Sequence, residues 1–77
     1  MIKAYVLVQT EVGAAPAVAS KAAGLAGVNQ ADDVTGPYDV IVSAHATDVE
    51  ALGQEVIASI QSIPGVTRTI TCPVVHF

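Results

Sequence analysis

The chain has 77 residues, of which 52% are hydrophobic, and its mean hydropathy is +0.57. Seven acidic residues against three basic ones give a net charge of −4 and a pI near 4.6. A nucleic-acid binder carries a basic patch, whereas Lys3, Lys21 and Arg68 are scattered along this chain, so the charge argues against direct contact with DNA or RNA.

The apolar excess needs a destination. A chain of this size buries only about 60 to 65% of the surface its unfolded state exposes. Small domains compensate with disulfides, a metal or association. Cys72 is the single cysteine, and no Cys/His cluster has zinc spacing. No cofactor is expected, and association into a homodimer or a higher homo-oligomer remains. A membrane span needs about 20 apolar residues, but the longest run without a charge, residues 56–67, is too short and contains Pro64 and Gly65. The apolar stretch after Lys3 is also too brief for a signal peptide. A single domain over residues 1–77, free in the cytoplasm, is the expectation.

The first element is a strand over residues 2–10 (IKAYVLVQT), β-branched and aromatic. Gly13 and Pro16 mark a boundary, and Pro16 suits the first turn of a helix, where its missing N–H has no partner to lose. Residues 14–26 are alanine-rich, with Val18, Ala22 and Leu25 forming a narrow apolar stripe. Gly27 stands where a helix-terminating glycine belongs. Residues 28–35 read as a weaker strand opposed by Asp32 and Asp33, and residues 38–47 (YDVIVSAHAT) as a clearer one. Thr47-Asp48-Val49-Glu50 fits a capping box with Thr47 as cap. The helix that follows presents Val49, Leu52, Val56, Ile60 and Ile63 on one side, and Pro64-Gly65 ends it before a last strand over residues 66–75.

The order β-α-β-β-α-β repeats itself: Leu25-Ala26-Gly27-Val28 closes the first helix as Ile63-Pro64-Gly65-Val66 closes the second. It predicts an α+β, ferredoxin-like sandwich, a four-stranded antiparallel sheet with both helices on one face. Alternation in the third strand gives an oily set (Val40, Val42, Ala44, Ala46) and a mixed one (Ile41, Ser43, His45, Thr47). The last strand is phased the same way, with Ile70, Cys72 and Val74 on the oily side and Thr69 and Thr71 on the other, beside Tyr5 and Leu7. That second face is semi-polar with small side chains, which suits another sheet packed against it over a cavity. Cys72 then reads as a small core residue. His45 and His76 have no acid or thiol at ligand spacing, so no metal site is expected.

Gly36-Pro37-Tyr38-Asp39 interrupts the strand-like run. Gly36 and Pro37 suit any tight connection, but glycine also lets a ligand approach the backbone. Asp39 either caps the turn or pairs with a ligand's ammonium, and Tyr38 reads as an interface or core aromatic with its hydroxyl at an edge, or else as a ligand contact.

Three stretches carry a resemblance: V-T-G-P-Y-D-V-I-V, T-D-V-E-A-L and I-P-G-V-T-R-T-I-T. They are similar to the effector-binding (RAM-type) domain of the Lrp/AsnC, or feast-famine, transcriptional regulators. The resemblance covers about residues 2–75 and is most specific in the second half. Because the chain starts at its first strand, it resembles the stand-alone domains that lack the helix-turn-helix. The family implies a dimeric α+β barrel made by two sheets face to face, often assembled further. It implies no catalysis, and an amino-acid effector held between subunits near the glycine-containing bend. Carried over by position, the ligand-binding residues are Gly36, Tyr38, Asp39, Thr69 and Thr71. Pro37 departs from the polar residue common at its position and leaves the effector's identity open. The rival is a small α+β-barrel enzyme, a monooxygenase or isomerase, for which His45 and Asp39 are the available acid–base groups. A third reading is a structural or partner-modulating subunit that co-assembles with full-length regulators of that family and alters their oligomers.

Overall fold

A computed structural model describes residues 1–75; the expectation for His76 falls outside these. Four strands, β1 (Ile2–Thr10), β2 (Val28–Asp33), β3 (Val40–Ala46) and β4 (Val66–Pro73), form one antiparallel sheet in the order β2-β3-β1-β4. Helix α1 (Ala15–Ala23) joins β1 to β2. Helix α2 joins β3 to β4 over residues 49–61, and its middle, Leu52–Ile57, is π-helical. The α+β ferredoxin-like sandwich predicted from the element order is the observed fold.

One core cluster holds the layers together. Ala4, Val6 and Val8 of β1 and Val40, Val42 and Ala44 of β3 are fully buried, packed with Val18 and Ala22 of α1 and Leu52, Val56 and Ile60 of α2. Of the predicted stripes, Val18, Ala22, Leu52, Val56 and Ile60 are buried on the helices; Leu25 and Ile63 follow the helix ends, half-buried and buried, and Val49, in the first turn of α2, is 69% exposed.

Asp48, not Thr47, caps α2: its backbone is extended and its Oδ1 accepts from the Ala51 N–H at 2.8 Å. A carboxylate is the stronger acceptor at a positive helix end. Gly27 takes φ +85°, and a Cβ there would stand 2.6 Å from Val56 Cγ2 and 3.0 Å from the His45 carbonyl oxygen. That glycine lets the α1–β2 turn close onto α2 and β3.

The phase expected for β4 is reversed. Residues directly opposite on antiparallel strands share a face, and β4 pairs Thr69 with Val8, Thr71 with Val6, Ile70 with Leu7 and Cys72 with Tyr5. The threonines therefore lie on the helix side, where Gln61 Nε2 donates to Thr69 Oγ1 at 3.0 Å, and Ile70 and Cys72 lie on the bare side. Cys72 is exposed and is not a core residue. Alternation fixes parity but not side, and β4 is an edge strand that the helices cover only in part.

The bare face is consequently oilier than the sequence suggests. Ile41, Leu7 and Ile70 lie in one row across three strands, with Ser43, Tyr5 and Cys72 in the next. Tyr5 is 41% and Ile41 37% exposed. Lys3 Nζ stands 5.4 Å above the Tyr5 ring, a cation–π contact.

Candidate functional site

Residues 34–39 connect β2 to β3, and Asp39 fastens that connection to β1 in two places and to its own start in a third. Its N–H donates to the Val8 carbonyl at 2.9 Å, and its carbonyl accepts from the Val34 N–H at 2.9 Å. Its Oδ2 accepts from the Thr10 N–H at 2.8 Å. The last bond satisfies a donor at the end of β1, where the β1–β4 register shifts between Gln9 and Thr10. Gln9 Nε2 adds a longer contact, 3.4 Å, to the Pro37 carbonyl.

Asp39 and Tyr38 are half-buried, while Gly36 and Pro37 are exposed. Gly36 has no positive φ, and a Cβ on it would meet nothing within 4 Å. The turn itself therefore does not require glycine. Gly36, Tyr38 and Asp39 come together at one end of the sheet. Thr69 and Thr71 sit two strands away on the opposite face of the sheet, so a single chain does not bring them to the bend.

His45 and Asp39 stand at opposite ends of β3, about 20 Å apart at roughly 3.4 Å per residue, and do not form one acid–base pair. The His45 imidazole Nδ1 lies 2.8 Å from Asn29 Oδ1. The register places His45 opposite Lys3, on the bare face. Among the described residues no three His, Cys, Asp or Glu are grouped to hold a metal.

A cavity of about 510 Å³ opens at the far end of the molecule from the bend. The Gly27 turn, His45 to Thr47, and Gln54, Glu55 and Val56 of α2 line it. Gln54, Glu55 and Val56 belong to the π-helical part of α2, which faces the end of β3 there. The residue pattern does not signal it, because Leu52, Val56 and Ile60 recur every four residues, a spacing that an α-helix accommodates as readily as a wider turn. Among the described residues no helix is long and apolar enough to cross a membrane.

This sandwich, with one sheet face left bare and a bend at its margin, is the fold of a known family of small ligand-binding domains. The chain belongs to the Lrp/AsnC ligand binding domain family, whose model matches residues 3–76. A crystal structure of TTHA0845 from Thermus thermophilus superposes with a TM-score of 0.90 at 35% identity, covering 100% of this chain and 96% of that one. A hypothetical protein from Pyrococcus horikoshii gives 0.88 at 27% identity, covering 100% and 93%. The Escherichia coli AsnC structure shares the fold at a TM-score of 0.88 and 22% identity, and the match covers 99% of this chain and 52% of that one. A transcriptional regulator of Neisseria meningitidis, solved as a complex with L-Met, shares it at 0.83 and 22% identity, covering 97% and 50%. No curated protein matches the sequence.

Proposed function

We propose that the chain is a non-catalytic regulatory module that binds a free amino acid at the bend formed by Gly36, Tyr38 and Asp39, in a pocket completed by a second copy. The observation that carries this reading is the Asp39 carboxylate. Thr10 holds it by Oδ2 at 2.8 Å, which fixes the carboxylate's orientation in the bend that carries the exposed Gly36. A preoriented carboxylate is an acceptor for a ligand's ammonium, and charge-assisted bonds of this kind are the strong ones. The exposed Gly36 gives a ligand close access to backbone groups.

The bare row of Ile41, Leu7 and Ile70 supports pairing of two sheets, since burying apolar surface is what drives such association. Thr69 and Thr71 face the helices and not the bare face, so they reach the bend only from a further copy packed against the β4 edge of the sheet in a higher assembly. The L-Met complex of the Neisseria regulator supports an amino acid as the ligand class. Co-assembly with full-length regulators of the family is the way such a module would act on transcription without touching DNA itself.

Calorimetric titration with each of the twenty amino acids at millimolar concentration tests the reading. Saturable binding by at least one, with the affinity lowered in Asp39→Asn, supports it. Silence from all twenty overturns it.

A further inference from the structure

We infer that Arg68 recognises the effector's carboxylate, so that the bend site reads both ends of an α-amino acid across the width of β1. This rests on the reading of the bend as the effector site, and it adds a residue that the family motif did not carry over.

The placement follows from the register. Arg68 pairs directly with Gln9, while Asp39 is bonded to Val8 and Thr10 from the other side of the same strand. Asp39 and Arg68 thus flank residues 8–10 on the left and right. With neighbouring strands about 4.8 Å apart, their backbones stand roughly 10 Å from one another. An aspartate and an extended arginine close that gap to the few ångströms separating the ammonium and carboxylate of one amino acid. Gln9 and Arg68 share the bare face with Leu7 and Tyr5, because opposite residues point the same way. The Gln9 amide leans towards the Pro37 carbonyl, the bend side of β1.

The charge inventory narrows the choice. Of the three Lys and Arg residues, Lys3 sits at the other end of β1, opposite His45 and over the Tyr5 ring. Lys21 is exposed on α1, in the helix layer. Arg68 alone lies at the bend end of the sheet, and it is exposed, so its guanidinium is free to turn towards a ligand. A guanidinium meets a carboxylate with two parallel N–H donors. A simple amine would satisfy Asp39 but leave Arg68 without a partner, so the proposed ligand is a zwitterion.

The test compares the strongest binder among the twenty amino acids with its own carboxamide, by calorimetry, on the wild-type chain, Arg68→Gln and Arg68→Lys. The wild type is expected to prefer the acid over the amide by about 10- to 100-fold, the range of a charged hydrogen-bonded contact. Arg68→Gln removes that preference while leaving the amide's affinity within about twofold, and Arg68→Lys restores part of it. Circular dichroism melting of each variant checks that the fold survives. If Arg68→Gln keeps the acid-over-amide preference, the assignment of Arg68 is wrong while the bend site stands. If no amino acid binds the wild type, the bend reading itself fails, and this inference with it.

Discussion

Thr10 donates its backbone N–H to the Asp39 carboxylate across 2.8 Å, joining the end of β1 to the bend before β3. That bond gives Asp39 two separable duties, and substitution divides them. Asp39→Ala removes the acceptor and is expected to lower stability by about 1 to 2 kcal/mol, the usual cost of stranding a part-buried donor. Asp39→Asn keeps an oxygen for Thr10 and should hold stability to within about 0.5 kcal/mol, yet lose about tenfold in amino-acid affinity because the ligand's ammonium loses its charged partner. Urea unfolding and calorimetry on the two variants check this; equal binding by Asn and Asp would limit Asp39 to fastening the turn.

Two glycines make opposite predictions. Gly27→Ala meets Val56 Cγ2 at 2.6 Å and a φ of +85°, so it should destabilise the chain by about 2 to 4 kcal/mol. Gly36→Ala meets open space at an ordinary φ, so its stability should stay within about 0.5 kcal/mol of wild type. Amino-acid affinity should nevertheless fall in Gly36→Ala, since the added methyl stands where a ligand approaches the backbone. Thermal melts and titrations of both variants separate the structural glycine from the ligand-facing one.

The helix cap gives a third expectation. Asp48→Ala removes the acceptor of the Ala51 N–H and should lower stability by about 1 kcal/mol. Thr47→Ala should change it by less than about 0.5 kcal/mol. The reverse order, measured by urea unfolding, would return the cap to Thr47.

The element order was readable because each element states its own period and its own punctuation. Val18 and Ala22, or Leu52, Val56 and Ile60, recur at helical spacing, and Gly27 and Gly65 both take the left-handed conformation that ends the two repeats. The side of β4 was not readable. Thr69 and Ile70 alternate correctly, but only pairing with Val8 and Leu7 decides which of them meets the helices. Both faces of this sheet carry apolar residues, so hydropathy alone cannot choose. The bend was visible as an oddity of composition, whereas the bonds that tie Asp39 to Val8 and Thr10 join residues far apart in the chain. In sequence Arg68 is only a scattered charge, because its neighbour on the sheet, Gln9, lies far away along the chain.

The bare face yields a fourth prediction. Ile41→Lys places a charge in the Leu7–Ile41–Ile70 row without touching the helix-side core. Such a charge is costly in a face that pairs with another sheet. The variant should remain folded by circular dichroism, become a single chain in solution, and lose amino-acid binding because the pocket needs both copies.

Sedimentation equilibrium of the wild-type chain at micromolar concentration tests the central claim most directly. Two or more copies per particle are predicted, since the oily row is covered only by association. A folded, stable species of 7.8 kDa would contradict the account, and with it the pocket between subunits.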